Sequence, residues 1–563
     1  MKHLWVYPLT GLLLLSACKP KQKQTWLSEE PKATQANQAP AGALELVFPY
    51  GSEKEKWIKD VTESFNRSGR KLAGGKTIFV KAIPMGSGEA VDEILAGRLQ
   101  AHIVSPASAA FVKLGNAESR SKFGKDLITP AGNVLLSPVV IAMWKPMAEA
   151  IGWGKKPVGW VDILALARNQ KGWASFGFPQ WGQFKFGHTH PLYSNSGLIS
   201  LIAEVYAASG KTKGLEPSDL TKPHTGEFLN AIEDSVVHYG SSTGFFGRKM
   251  FENGPQYLSA AVLYESMVVE SYTGKANLPF PVVAIYPKEG TFWSDHPIGI
   301  IQRDWVTKDH RDAADIYIRY LLDKPQQEKA LQYGFRPAAV DVAVGAPIDQ
   351  AHGVDPQEPK TTLEVPNAEM IHGIIDLWQE RKKNAEVVLV IDTSGSMRDD
   401  SKLDNAKLGG RQLISLMNNN DVFSLLPFNN KFDWALQDAS LKTSRDHANQ
   451  QMDSLYPGGG TAFYDSVEAA YEHLLERPSE HRIQAIVALT DGEDNRSKLQ
   501  LTELISKIRS DGENKNIRVF TIAYGSDAQK DILKQIADAT QARSYEGTPG
   551  NIVSVFRDIS TFF

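Results

Sequence analysis

The feature that most constrains this chain is a run of apolar residues that ends abruptly in oxygen-bearing side chains. Residues 387–391 (Val-Val-Leu-Val-Ile) predict a fully buried strand, and Asp392, Ser394 and Ser396 follow directly after it. Strands buried on both faces are typical of parallel sheets, and open parallel sheets bind ligands at the carboxyl ends of their strands. The pattern therefore predicts an α/β domain with polar side chains at one edge of its sheet.

Two further segments carry oxygen ligands to the same edge. Thr461 follows three glycines at the start of a predicted helix, and Asp491 follows a second apolar strand, residues 483–489. With the first three side chains they form a set of two carboxylates and three hydroxyls. Such a set suits a hard divalent cation such as Mg²⁺ or Mn²⁺ and suits Zn²⁺ poorly. Serine and aspartate also cap helices, which is the alternative role for each residue taken alone.

This arrangement resembles the metal-ion-dependent adhesion site of the von Willebrand factor A family, in which DxSxS is followed by a distant Thr and a distant Asp. The matching positions are Asp392, Ser394, Ser396, Thr461 and Asp491. The resemblance implies that the hydroxyls ligate the metal directly, that the carboxylates act largely through water, and that one coordination position is left for an acidic residue of a partner protein. We expect Gly395, Met397 and Gly460 to form a low-dielectric rim that strengthens this contact.

The N-terminus carries the pattern of a bacterial lipoprotein. An apolar run over residues 4–17 is too short for a membrane span of about 20 residues but suits a signal peptide, residues 1–17. The run ends Leu-Ser-Ala-Cys, which resembles the lipobox, and Cys18 is the only cysteine of the chain. We expect lipidation of Cys18, a flexible tether over residues 18–42, and a location in the bacterial cell envelope, anchored to a membrane by lipid and facing the periplasm or the exterior.

Residues 43–350 predict a separate α/β domain, because strands alternate with helices along them. Their order and spacing resemble those of the type II extracellular solute-binding proteins, whose two α/β lobes close on a ligand, and the resemblance rests on residues 85–95, 187–197, 239–244 and 334–337. The residues that we expect to line the cleft lie at strand ends and helix starts: Ser87, Gly88, Ser105, Ser108, Ser194, Asn195, Ser196 and Tyr264. Hydroxyls and helix N-termini suit a small polar or anionic solute, although such residues cap helices about as often.

A linker is predicted over residues 351–384. Prolines interrupt its first half, and Ile371, Ile374, Ile375 and Trp378 then recur with the spacing of one helical face, which predicts an amphipathic helix. Residues 385–563 form the adhesion-type domain in this interpretation, a doubly wound, Rossmann-like α/β sheet with strands at residues 387–391, 421–427, 483–489 and 517–523 and helices on both faces.

Composition and motifs narrow the function further. A net charge of −4 indicates no nucleic-acid partner, and the chain contains neither a GxxxxGK[ST] nor an HExxH motif. We predict a membrane-anchored, non-enzymatic protein that binds an acidic protein partner through Mg²⁺ or Mn²⁺ and also senses or binds a solute. Two alternatives stay open. One is the substrate-binding receptor of an ABC-type transporter, and the other is a metal-dependent hydrolase with Glu493 or Asp494 as general base.

Overall fold

The computed structural model describes residues 39–273, 278–479, 482–509 and 517–563. None of the helices in these ranges is long and apolar enough to cross a membrane. The signal peptide, Cys18 and most of the tether lie outside the described residues, so lipidation stays a prediction.

The N-terminal part contains three sheets, of two, three and seven strands. Its strands are β1 (Leu44–Gly51), β2 (Ile78–Met85), β3 (Ile103–Val104), β4 (Ile128–Asn133), β5 (Leu135–Trp144), β6 (Phe186–Thr189), β7 (Val236–Gly240), β8 (Ala260–Tyr264), β9 (Val282–Ile285), β10 (Trp293–Ser294), β11 (Pro297–Ile301) and β12 (Arg336–Pro337).

Helices pack against these sheets. They are α1 (Glu55–Arg67), α2 (Ser87–Leu95), α3 (Ala109–Phe123), α4 (Lys145–Ala150), α5 (Trp160–Ala167), α6 (Asn195–Ser209), α7 (Pro217–Leu220), α8 (Pro223–Asp234), α9 (Thr243–Asn253), α10 (Glu265–Thr273), α11 (Lys308–Leu322) and α12 (Lys324–Gln332). In α1, for example, Trp57, Ile58, Val61 and Phe65 form one fully buried face, as their helical spacing requires.

The three sheets form two lobes. In the first lobe β1 pairs with β2 in parallel, the β3-β11-β4 sheet lies beside them, and a bridge between Tyr50 and Ser105 joins the two pieces. The second lobe has the strand order β10-β5-β8-β6-β7, with β9 and β12 also paired to β5. Loops at the carboxyl ends of these strands meet between the lobes, which is where ligands of α/β sheets are expected.

The C-terminal part forms one sheet with helices on both faces. Its elements are α13 (Ala368–Arg381), β13 (Asn384–Asp392), α14 (Lys402–Leu416), β14 (Val422–Phe428), β15 (Leu436–Ser440), α15 (Leu441–Asp453), α16 (Phe463–Leu475), β16 (Arg482–Thr490), α17 (Leu501–Ile508), β17 (Arg518–Tyr524), α18 (Lys530–Ala539), β18 (Ser544–Gly547) and α19 (Ile552–Ser560). The strand order is β15-β14-β13-β16-β17-β18, with every pairing parallel except that of β15.

The four predicted strands of this sheet are present, but its two edge strands were not predicted. Strand β15 has the sequence Leu-Gln-Asp-Ala-Ser and is largely exposed, and β18 is only Ser-Tyr-Glu-Gly. Neither carries the apolar run or the alternation that distinguishes a strand from a loop, because an edge strand needs little burial. Helix α13 packs its predicted apolar face against the second lobe, where the Trp378 ring lies 5.1 Å from that of His190.

Helix α19 and the last residues of the chain connect the two parts. Phe562 packs its ring 5.9 Å from that of His238 and 4.8 Å from that of Phe520, and its carbonyl accepts a hydrogen bond from the Tyr239 amide at 3.1 Å. Both His238 and Tyr239 belong to β7 of the second lobe. One helical turn earlier, Arg557 pairs with Glu93 on α2 of the first lobe. The C-terminal segment thus contacts both lobes at once.

Candidate metal centre and interlobe cleft

Asp392 ends β13 and forms the base of the candidate metal centre. Its side chain is fully buried, with Oδ1 accepting the Ser394 amide at 2.7 Å and Oδ2 accepting the Thr490 hydroxyl at 2.6 Å. Burial, together with the neighbouring Asp491 carboxylate, raises the pKa of Asp392 to about 6. The strand thus delivers a buried carboxylate whose charge is only partly compensated by hydrogen bonds.

Ser394, Ser396 and Asp491 continue this network. The two serine hydroxyls lie 3.1 Å apart, and Ser396 donates to Asp491 Oδ1 at 2.7 Å. Asp491 is buried, whereas Ser396 is exposed to solvent. Four of the predicted ligands are therefore joined in one hydrogen-bonded chain at the carboxyl edge of β13 and β16, which brings residues almost 100 positions apart into contact.

Thr461 reaches the same edge from the loop before α16. Its amide donates to Asn495 Oδ1 at 3.0 Å, and its hydroxyl oxygen lies 3.9 Å from the point where a β-carbon on Gly492 would stand. The loop is tied to the Asp392 loop, because the Gly395 amide donates to the Gly459 carbonyl at 3.0 Å. The structure thus brings the fifth predicted ligand next to the strand end that bears Asp491.

Lys402 is a member of this site that the sequence interpretation missed. Its ammonium donates to Asp491 Oδ2 at 2.7 Å, and its side chain is 11% exposed. Burial opposes the charge, but the hydrogen bond and the charge of Asp491 raise the pKa of Lys402. The sequence feature that could have identified Lys402 is its position in the first turn of the helix that follows the DxSxS loop.

The donor chemistry fits a hard divalent cation. Three hydroxyl and two carboxylate oxygens converge on one edge, and the lysine neutralises only one of the two negative charges. The rim differs from the prediction: Met397 is fully buried beneath the loop and does not line the rim, whereas Tyr456 in the neighbouring loop is 79% exposed. Tyr456 lies in the loop that leads to Gly458, whose amide donates to the Thr393 carbonyl at 2.8 Å.

The predicted cleft residues lie between the two lobes and are buried. Ser108 at the start of α3 donates to Asn195 at the start of α6, and Asn195 donates to the Tyr264 hydroxyl at 3.0 Å. Ser87 accepts the Ala107 amide at 2.9 Å, and Ser196 shares hydrogen bonds with Thr189 and Thr243. Ser194 bonds to Thr243, while the Ser105 hydroxyl is buried without a hydrogen-bond partner among the described residues.

These contacts close the cleft around its own side chains. At Gly88 a β-carbon would stand 1.9 Å from the Leu192 carbonyl oxygen of the other lobe, so only glycine permits this approach. The closed arrangement leaves the predicted polar side chains satisfied mainly by one another. Solute binding between Ser87 and the 194–196 loop stays a prediction.

A buried charged cluster next to the cleft was not predicted. Lys54 is fully buried and donates to Glu53 at 2.7 Å, and its ammonium lies 3.2 Å from His296 Nδ1. Burial opposes ionisation of Glu53, yet Lys54 and His296 lower the pKa of Glu53 to about 2. Burial and then the Lys54 charge lower the pKa of His296 to about 4. The first lobe thus carries a buried ion pair, one carboxylate and one ammonium, beside the cleft.

One segment of the second lobe matches the sequence pattern around the nucleophile of many serine hydrolases. Residues 240–244 match GxSxG and lie between β7 and α9, with Ser242 at the start of the helix. His238, four residues before Ser242, is occupied elsewhere: its Nδ1 lies 2.8 Å from the Tyr239 carbonyl oxygen, and its Nε2 bonds to the Tyr257 hydroxyl.

The fold defines a class of protein: a two-lobed solute-binding domain joined to a Rossmann-like domain that bears oxygen-containing side chains at one edge of its sheet. The sequence model of the bacterial extracellular solute-binding proteins matches residues 49–336, and that of the von Willebrand factor type A domain matches residues 386–553. The chain belongs to the bacterial extracellular solute-binding protein family and carries a C-terminal von Willebrand factor type A domain.

Individual relatives are distant. Inter-alpha-trypsin inhibitor heavy chain H4 of Sus scrofa is 24% identical over 185 residues, which cover 31% of this chain and 19% of that protein. An uncharacterised protein of Mycobacterium tuberculosis is 19% identical over 503 residues, covering 85% of this chain and 71% of that protein. The periplasmic binding protein AfuA of Actinobacillus pleuropneumoniae is 13% identical with a TM-score of 0.42, covering 61% of this chain and 100% of that one. The chain spans less than a fifth of the length of the first curated relatives that it matches.

Proposed function

We propose that this protein is a non-enzymatic, extracytoplasmic binding protein, lipid-anchored through Cys18, that captures a protein partner through a divalent cation. Ser394, Ser396 and Thr461 would hold the cation, with Asp392 and Asp491 acting largely through water. The observation that carries the proposal is the single hydrogen-bonded chain from Asp392 to Asp491, which preorganises the oxygen donors and ends at an exposed hydroxyl.

The cation, when bound, supplies an open coordination position for a carboxylate. The side chains around the site then determine which partner residues can reach that coordination position. Ser396 is exposed at the surface, and Tyr456 is 79% exposed in the loop whose Gly458 amide bonds to Thr393, which suits an acidic residue flanked by an apolar one. Mg²⁺ or Mn²⁺ is the proposed ion, since all the donors are oxygens.

A metal titration tests the site, and a capture assay tests its use. Calorimetry with Mg²⁺ should show one site per chain that Asp392→Ala abolishes, while the matched control Asp404→Ala, on the exposed face of α14, keeps it. Cell-envelope extracts should then yield partners with Mg²⁺ but not with EDTA. Thr461→Ala should lose them and Thr443→Ala, on an exposed helix surface, should retain them. Equal yields under all four conditions would reject metal-dependent adhesion.

Solute binding is the second candidate function, and family membership over residues 49–336 favours it. In the closed arrangement the cleft hydroxyls bond to one another, so a small polar or anionic solute would enter only after the lobes separate. Thermal-shift screening of oxyanions and sugar phosphates tests this. A specific, saturable rise in melting temperature that Asn195→Ala removes would support a solute receptor, including the transporter alternative. The absence of any such rise would leave the domain as a scaffold.

A further inference from the structure

A second cluster of metal-binding side chains lies at the opposite end of the C-terminal sheet. Glu386 is the third residue of β13, six residues before Asp392, so the two carboxylates are separated by about 20 Å along the strand. Glu386 points to the face covered by α16, the same face as Val388 and Val390. Asp438 on the edge strand β15 and His473 in the last turn of α16 meet it there.

The three side chains are close enough to share one ion. One ligand atom from each of Glu386, Asp438 and His473 lies within 4.8 Å of the other two. His473 Nε2 and Asp438 Oδ1 are 2.9 Å apart. The side chains of Glu386, His473 and Asp438 are 5%, 13% and 29% exposed, so the cluster is sheltered but open on one side.

One oxygen of this cluster lacks a donor. Gln484 donates to Glu386 Oε2 at 3.0 Å, but Glu386 Oε1 is buried with no hydrogen-bond partner among the described residues. Arg477 hydrogen-bonds to the outer oxygen of Asp438, while its Nε stays 3.7 Å from Glu386 Oε1, too far for a hydrogen bond. A buried carboxylate oxygen without a donor calls for a water or an ion.

We propose that Glu386, Asp438 and His473 form a second metal site, selective for Zn²⁺ or a similar borderline cation. One imidazole nitrogen and two carboxylate oxygens match zinc preferences, whereas a hard ion such as Mg²⁺ prefers six oxygens. Two ligands at about 2.1 Å from one tetrahedral zinc lie about 3.4 Å apart, a spacing that the cluster reaches with side-chain shifts of less than about 1.5 Å.

The neighbours of the cluster support the site. Arg477 would keep its bond to the outer oxygen of Asp438 and so orient that ligand, while its charge offsets one carboxylate. The amide nitrogen of Gln437 lies 3.2 Å from His473 Nδ1. Turning this amide over would place its oxygen there to accept from Nδ1–H, which leaves Nε2 for the metal. The bound ion would tie the antiparallel edge strand to α16 and to the centre of the sheet.

Zinc titration of the full chain tests the proposal independently of the adhesion site. In the Asp392→Ala background, which disables the first site, calorimetry should still show one Zn²⁺ per chain. Adding Glu386→Gln should weaken that binding at least ~10-fold, since glutamine keeps the volume and can still accept from Gln484 but is a poor ligand. His473→Gln should do the same, and the matched control His447→Gln, exposed on α15, should leave zinc affinity unchanged.

X-ray absorption at the zinc edge of the Asp392→Ala protein should show one imidazole and carboxylate oxygens around the metal. If Asp392→Ala binds no zinc, the second site does not exist. If zinc binding survives both Glu386→Gln and His473→Gln, the metal lies elsewhere, and the proposal is overturned while metal-dependent adhesion is unaffected. Far-ultraviolet circular dichroism of each variant ensures that only folded protein is compared.

Discussion

The C-terminal segment should hold the lobes of the solute-binding domain together, and Phe562→Ala is the substitution that tests it. The Phe562 side chain is 5% exposed, and its ring packs against His238 on the second lobe and Phe520 on β17. Truncating a buried phenylalanine costs about 3–5 kcal/mol in a core. We take the lower end, ~3 kcal/mol, because this ring lies at an interface close to the chain terminus.

The expected result is local opening rather than unfolding. At 1.4 kcal/mol per tenfold change, ~3 kcal/mol corresponds to roughly 100-fold more frequent release of the segment. The Tyr239 amide, which donates to the Phe562 carbonyl at 3.1 Å, reports this release directly. Hydrogen exchange followed by mass spectrometry should therefore show faster exchange in β7, together with α2, whose Glu93 pairs with Arg557.

Two companion variants calibrate this experiment. Arg557→Ala should have a smaller effect, about 1 kcal/mol, because Arg98 remains bonded to Glu93 at 2.9 Å and leaves no unpaired carboxylate. Phe123→Ala, which truncates a ring that is 51% exposed on α3, should change exchange in β7 very little. Unchanged exchange at Tyr239 in Phe562→Ala would refute the idea that the C-terminal segment restrains the lobes.

Three further outcomes follow from the sites. Lys402→Met should raise the affinity for Mg²⁺ several-fold in calorimetry, since its ammonium lies 2.7 Å from Asp491 and repels a nearby cation; equal or lower affinity would contradict this. Gly88→Ala places a β-carbon 1.9 Å from a carbonyl of the other lobe, so small-angle X-ray scattering should show a larger radius of gyration, and an unchanged radius would speak against tight closure. The contribution of His296 and Glu53 to the free energy of unfolding should decrease as the pH falls from 6.5 to 2. Their folded-state pKa values, about 4 and about 2, lie below their ordinary values of 6.5 and 4.5, so these two groups bind more protons in the unfolded chain. Urea unfolding of Glu53→Gln should show a shallower fall below pH 4.5 than the wild type, and parallel curves would remove Glu53 from the explanation.

Local pattern was sufficient for much of the C-terminal sheet. The predicted runs inside β13 and β16, residues 387–391 and 483–489, are apolar except at Gln484. Asp392 is the last residue of β13, and Asp491 directly follows β16. The edge strand β15 and the lysine beside Asp491 escaped prediction for different reasons. Strand β15 is partly exposed and shows no regular alternation of apolar and polar residues. Lys402 has the sequence context of any lysine in the first turn of a helix.

The amino-acid sequence by itself determined the two α/β parts, and it predicts five oxygen donors at one edge of the C-terminal sheet. It could do so because buried parallel strands require continuous apolar runs, and ligands must follow those runs at the strand ends. Only the tertiary structure decided that the cleft closes on its own hydroxyls, that Phe562 and Arg557 reach both lobes, and that Glu386, Asp438 and His473 meet. These contacts join residues from 35 to more than 400 positions apart, and their distances depend on how whole helices and sheets pack, which no local pattern of side chains encodes.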